Sequence, residues 1–229
     1  MTLPKPVTGL WNLKTANFPK DAGKVFSCFA CAGGSTMGYK LAGFDVIGCN
    51  EIDPKVFEVY KANHKPKHAF VCSIRDMVTA ENLPDDLFDL DILDGSPPCT
   101  SFSTAGVRER DWGKQKVFSE GQQLQRLDDL FFTFIALAKR LQPKIVVSEN
   151  VSGMVKGKEA GYRTQIFRLN GATMGVPQAR DRVFFMSARK DLDFPKIKLD
   201  FHEKPIPFGE VENILAKTPN NSMGEQLFI

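Results

Sequence analysis

The feature that most constrains this chain is an alternation: a short apolar run of strand length, then a segment with helical spacing, then another apolar run. Val25 to Phe29, Phe44 to Cys49, Ala69 to Cys72, Leu90 to Leu93, Ile145 to Ser148, Arg163 to Leu169 and Val183 to Ser187 read as strands. Between the first of them lie a helix from Ser35 to Leu41, stopped by Gly43, and a helix capped by Asp53 with Pro54 as its first residue. A longer amphipathic helix carries Leu124, Leu127, Leu130, Phe131, Phe134, Leu137 and Leu141. A chain patterned this way predicts an α/β fold, a doubly wound, mostly parallel sheet with helices on both faces, and puts its ligands beyond the carboxyl ends of the strands. Residues 1–22, with Pro4, Pro6 and Pro19, read as an irregular leader. Residues 191–229 read as a Lys- and Pro-rich loop followed by one short helix near Val211 to Lys217.

Composition narrows the class. The chain is 229 residues with 42% hydrophobic and 25% charged residues, as in ordinary globular proteins. The longest apolar run, Phe131 to Ala138, is too short for a membrane span, and the first twenty residues hold no signal-peptide core, so a cytosolic or nuclear site is expected. Five scattered cysteines fit free thiols in a reducing compartment. The net charge is +3, but Asp76 to Asp94 holds seven acids and no base, while Lys139 to Arg168 holds seven bases and two acids. The basic part could face phosphates, or both parts could be solvated faces of opposite sign.

Two strand ends carry chemistry. After the first strand comes Phe29-Ala30-Cys31-Ala32-Gly33-Gly34, and Glu51 ends the second. Glycines there let the backbone approach a ligand, and an acid at that offset suits ribose hydroxyls, so a nucleoside cofactor is implied. The glycines depart from G-x-G-x-x-G, which ranks NAD and a dehydrogenase second; the bland alternative is a tight turn beside a surface Glu. Cys28 and Cys31 form C-x-x-C, but no second pair exists for zinc, and no metal is expected.

The strand Leu90 to Leu93 runs into Asp94-Gly95-Ser96-Pro97-Pro98-Cys99-Thr100-Ser101-Phe102-Ser103, whose prolines make a rigid turn presenting Cys99. Taken alone, such a Cys is more often structural. A further strand ends in Glu149-Asn150-Val151, and the stretch Gly175 to Arg182 brings Gln178, Arg180 and Arg182 into the last apolar strand. A thiol, an acid and a guanidinium therefore converge on one rim.

These segments resemble, in order, those of the cytosine-5 DNA methyltransferase family: the Phe-Ala-x-x-Gly-Gly loop, Asn50-Glu51-Ile52-Asp53, Pro97-Pro98-Cys99 with Phe102-Ser103, Glu149-Asn150-Val151, and Gln178-x-Arg180-x-Arg182, spanning about Val25 to Arg189. The resemblance implies a Rossmann-like methyltransferase domain over 23–190 that uses S-adenosylmethionine, releases S-adenosylhomocysteine, and acts on cytosine flipped out of double-stranded DNA. By it, Cys99 is the thiolate that adds to carbon 6, Glu149 grips N3 and the exocyclic amine, Arg182 holds O2, and Arg180 supports it. Phe29, Ala30, Cys31, Ala32, Gly33 and Gly34 would take the methionine portion and Glu51 the ribose. Ile52 would pack on adenine beside Ser73 and Ile74, with Pro98 and Leu130 closing the pocket. Gly113-Lys114-Gln115-Lys116 resembles the loop that closes over the flipped base.

Three positions depart from the family pattern: Ser27 stands in place of Asp, Cys31 in place of the first Gly, and Ser73 in place of an Asp. These touch cofactor affinity more than cofactor identity. Residues 151–162 contain Gly153, Gly157 and Gly161 where a helix is usual, and no target-recognition domain is evident after Arg189. The expectation is a portion of a longer enzyme, with a split enzyme completed by a second chain as the alternative. Other readings are a transfer-RNA cytosine-5 methyltransferase and a non-catalytic nucleic-acid-binding subunit.

Overall fold

The computed structural model describes residues 17–98, 130–150, 161–199, 201, 203–207 and 209–210. Its elements run β1 (Lys24–Cys28), α1 (Gly34–Leu41), β2 (Asp45–Glu51), α2 (Pro54–His64), β3 (His68–Val71), α3 (Ile74–Thr79), β4 (Ile92–Gly95), α4 (Leu130–Leu141), β5 (Ile145–Asn150), β6 (Tyr162–Asn170) and β7 (Asp181–Arg189), with short 3-10 turns at Asp85–Phe88 and Gly171–Thr173. The strands form one seven-stranded sheet in the order β3-β2-β1-β4-β5-β7-β6. β1 through β5 are parallel, while β7 runs antiparallel to both β5 and β6.

Local chemistry explains the helix starts. The Asp53 carboxylate accepts from the backbone N–H groups of Lys55 (2.8 Å) and Val56 (3.3 Å), and Pro54, which lacks an N–H, fills the first helical position. α3, absent from the strand-and-helix pattern expected above, rests on a capping box: Ser73 Oγ accepts from Arg75 N at 3.3 Å, and Asp76 accepts from Ser73 N at 3.1 Å. Ser-x-x-Asp was the available sequence signal for it. At the far end of α3, the Arg140 guanidinium of α4 donates to the carbonyls of Met77, Val78 and Ala80, so the last turn of the short helix does not end unpaired.

The core has two sides. On one, α4 lays Leu130, Phe134, Leu137 and Leu141 against Phe26, Leu93 and Val146 of the sheet, with Ile74 and Met77 of α3 beside them. Burying each of these side chains contributes roughly 1.5–3 kcal/mol. Gly95 lets α4 close in: a Cβ there would stand 2.5 Å from the Phe134 ring. On the other side, Val25, Val46 and Ile92 pack with Tyr39 and Phe44.

The sheet is mostly parallel, as expected. β7 is antiparallel to both of its neighbours, and the described bases between Lys139 and Arg168 lie at both ends of the sheet. Lys139 and Arg140 close α4 and Lys144 precedes β5, at the amino end of the parallel strands, whereas Arg168 lies near the opposite end of β6. Lys144 Nζ is paired with Asp91 at 2.6 Å. After β7 the chain returns along edge strand β6: Gln165 bonds both ways with the backbone of Ile197, and Arg163 donates to the Phe194 carbonyl, which covers an open edge with side-chain bonds. The expected positions Leu124 and Leu127, the loop Gly113 to Lys116, the helix near Val211 and most of the leader lie outside the described residues.

Candidate active site

The strand order reverses between β1 and β4, so their carboxyl ends open the crevice that open α/β sheets use for ligands. The loop after β1 is held in an unusual backbone state. Phe29 (φ 53°), Cys31 (φ 47°) and Gly33 (φ 91°) all have left-handed dihedrals, and two of the three are not glycine. Cys31, where the sequence pattern departs from Gly, is held there because its N–H donates to Glu51 Oε2 at 2.8 Å. Glu51 Oε1 accepts from Ile52 N (2.8 Å) and Asp53 N (3.0 Å). Three of the roughly four acceptor positions of the carboxylate are thus filled, leaving capacity on Oε2 for a hydroxyl.

His64, not singled out in the sequence, supports the loop from behind. Its ring lies against Tyr60 (centroids 4.8 Å), its Nδ1 faces Lys40 Nζ at 3.3 Å, and it bonds the Ala32 backbone. Burial, and then Lys40, push its pKa down to about 4, so it is neutral at physiological pH. A Cβ on Gly33 would lie 2.2 Å from His64 Nε2, so the glycine is required by both its dihedral and its neighbour. The only hint in the sequence was a histidine at the end of an amphipathic helix.

Other expected cofactor residues are distributed unevenly. Ala30 is buried, Ala32 and Gly34 are exposed, Ile52 is half-buried and Pro98 is exposed at the mouth of the crevice. The Phe29 ring packs on Phe134, 6.4 Å between centroids. Ser73 is occupied as the N-cap of α3. Ile74 and Leu130 are 2% and 1% exposed, so they form the floor of the core and have little surface to offer a ligand.

Beside the loop lies a second residue missed in the sequence. Asp94 is 5% exposed on β4, in register with Ser27 of β1. Its Oδ2 accepts from Ser27 Oγ at 3.0 Å and its Oδ1 from Tyr39 OH at 3.2 Å, with a further bond from Ser35. Burial pushes its pKa up to about 6 against the pull of these hydroxyls. The unexpected Ser27 therefore has a carboxylate as its partner on the neighbouring strand.

On the other flank, Glu149 near the end of β5 forms an ion pair with Arg182 Nε of β7, and Arg182 also donates to the Asp181 carbonyl at 2.8 Å. The antiparallel register that pairs Glu149 with Phe184 brings these two side chains together from strands that run in opposite directions. Burial raises the Glu149 pKa although Arg182 lowers it. Arg180 is exposed on the approach to β7, and Cys99, one residue past the exposed Pro98, lies outside the described residues. Among the described residues no group of three His, Cys, Asp or Glu could hold a metal, and no helix is long and apolar enough to cross a membrane.

A family model for C-5 cytosine-specific DNA methylases matches residues 23–228, and the chain belongs to that family. It is 34% identical over 211 residues to the type II methyltransferase M.FnuDI of Fusobacterium nucleatum, covering 85% of this chain and 54% of that protein. It is also 33% identical over 194 residues to the type II methyltransferase M.NgoPII of Neisseria gonorrhoeae, covering 76% and 51%. The chain thus spans about half the length of these relatives. Among solved structures, one described as a DNA modification methyltransferase encoded within an Escherichia coli prophage superposes with a TM-score of 0.61 at 22% identity, over 86% of this chain and 56% of that one, a likeness of fold.

Proposed function

We propose that this chain is the catalytic portion of an enzyme that methylates carbon 5 of cytosine in DNA. The observation that carries the reading is the Glu149–Arg182 pair at the carboxyl end of β5, next to the strand that leads into Pro97-Pro98-Cys99. Family membership and type II methyltransferase relatives support it.

The crevice fits S-adenosylmethionine. Glu51 keeps an acceptor for a ribose hydroxyl, and Phe29 and Ile52 present partly exposed apolar surface. When bound, the cofactor supplies an electrophilic methyl group on a positively charged sulfur. The chain's own residues do the rest. The Cys99 thiolate adds to carbon 6 of a flipped cytosine, and Glu149, held in its protonated form more readily than a free carboxyl, donates toward N3 as charge reaches the ring. Arg182, already oriented by Glu149, stabilises O2 with Arg180 beside it. Carbon 5 then becomes nucleophilic; after methyl transfer, loss of its proton expels the thiolate and restores the ring.

The test is Cys99→Ser in the protein at its natural length, assayed by transfer of tritiated methyl to DNA and by DNA binding. Methyl transfer is expected to be lost while DNA binding stays, since phosphate contacts supply most of the affinity and do not involve the thiol. Turnover near wild type would overturn the covalent mechanism. Preferential labelling of transfer RNA in the wild-type assay would move the substrate to RNA. Sequence discrimination is assigned to segments beyond those described, supplied either by the same chain or by a second one.

A further inference from the structure

We propose that Asp94 is the counter-charge by which this site favours a sulfonium cofactor over its neutral demethylated product. The inference rests on the cofactor reading above and deepens it. Asp94 lies one residue from the end of β4, at the point where the strand order reverses, and is 5% exposed. Its partners are all neutral hydroxyls: Ser27 at 3.0 Å, Tyr39 at 3.2 Å, and Ser35 in the first turn of α1 just after Gly33-Gly34. Among the described residues no Lys, Arg or His pairs with it.

A buried carboxylate held only by hydroxyls remains a net negative charge in a medium that screens it poorly. With its pKa pushed up to about 6, it is ionised at neutral pH. S-adenosylmethionine and S-adenosylhomocysteine share the adenosine and the amino-acid portion, so Glu51 and the loop backbone meet the same groups in both. They differ in one methyl group and one positive charge on sulfur. A residue that separates them must respond to that charge, and Asp94 is the described carboxylate beside the loop that is not already bonded to the backbone N–H groups of that loop.

The groups facing Asp94 set its pH response. β1 contributes Ser27 and the Cys28 thiol, α1 contributes Ser35 and the Tyr39 phenol, and β5 contributes Glu149, whose charge opposes ionisation of Asp94. Burial holds Cys28 and Tyr39 well above their ordinary values, so both stay neutral near pH 7. Asp94 and Glu149 are therefore the carboxyl groups of this set, and the Asp94 pKa is raised to about 6.

The experiment is calorimetry of both ligands with the natural-length protein, as wild type, Asp94→Asn and Glu149→Gln, from about pH 5 to about pH 8. The expected result for Asp94→Asn is a roughly tenfold loss of S-adenosylmethionine affinity, the size expected of a single nearby charge, with product affinity changed less than about twofold. The wild-type preference should shrink toward pH 5. It should be flat with pH in Asp94→Asn and still pH-dependent in Glu149→Gln. In the double variant Ser27→Asp, Asp94→Asn, a carboxylate on the register partner should restore much of the preference. Equal weakening of both ligands would show a purely structural role and overturn the proposal, as would an unchanged preference in Asp94→Asn. A wild-type protein that binds neither ligand would overturn the cofactor reading itself, which is a different outcome from a preference that ignores Asp94.

Discussion

The two ends of the sheet are built on opposite principles. At the amino end of the parallel strands acids are paired with bases: Lys20 with Asp45 (2.8 Å), Lys24 with Asp89 (2.7 Å), Lys144 with Asp91 (2.6 Å), and Lys67 and His68 with Asp86. At the carboxyl end Asp94 is buried with hydroxyls in place of a cation, and Glu149 is half-buried with a raised pKa. The first end contains what folding alone selects. The second keeps buried charge that folding alone would remove, which is where function is expected. The acidic stretch from Asp76 to Asp94 is divided by this difference: Asp86, Asp89 and Asp91 are paired with bases at the far end, and Asp94 is buried among hydroxyls near the carboxyl end of β4.

The largest expected effect is at the rim. Gly33→Ala adds a Cβ 2.2 Å from a His64 ring that is held by Tyr60 and Lys40, at a dihedral that L-residues rarely adopt. A stability loss of about 3 kcal/mol is expected, together with loss of cofactor binding, read by chemical denaturation and calorimetry. Unchanged affinity would mean that the loop is not the cofactor cradle. Next comes Asp94→Asn as a stability variant. A pKa raised from 3.8 to about 6 contributes stability that is full below pH 3.8 and lost as pH rises through about 6, so at neutral pH the ionised group is a net cost. Removing it should stabilise the fold by up to about 3 kcal/mol at pH 7 and by little near pH 4. A variant that is less stable at pH 7 would show that the hydroxyl network outweighs the buried charge.

Much of this contrast could be read from residues in order, and the rest could not for definable reasons. Strand periodicity and the Asp53-Pro54 start placed β1, β2, β4, β5 and their helices within a few residues, because apolar period and capping are local. The direction of β7 was not local. It depends on which neighbour a strand pairs with, and the same apolar alternation serves either direction. In the site, Glu51 and Glu149 stood out in the sequence because each lies at or next to the end of a strand. Ser73 and Ile74 were expected in the pocket by resemblance; the Ser73 side chain caps α3 and Ile74 is buried in the core. Asp94 and His64 were passed over: an acid in an acidic run and a histidine on a helix look solvated until the packing between β1, β4 and α1, or between α1 and α2, buries them.

The smallest effect belongs to the far end and has the opposite sign. Asp86 accepts from Lys67 Nζ at 2.5 Å and pairs with His68 Nε2 at 2.9 Å, and these bonds hold its pKa down at about 2. A depressed carboxylate contributes stability that is present above its ordinary value of 3.8 and lost as pH falls through about 2. Because Asp86 is partly exposed and its partner Lys67 largely so, solvent screening reduces the full linkage value, and Asp86→Asn should cost about 1 kcal/mol at neutral pH. The cost should shrink at high salt, which screens the pair, and vanish near pH 2. Cofactor affinity should be unchanged, since Asp86 lies a strand length from the crevice. A change in affinity, or a loss of stability that persists at pH 2, would break the division between an end that is neutralised for folding and an end that is charged for function.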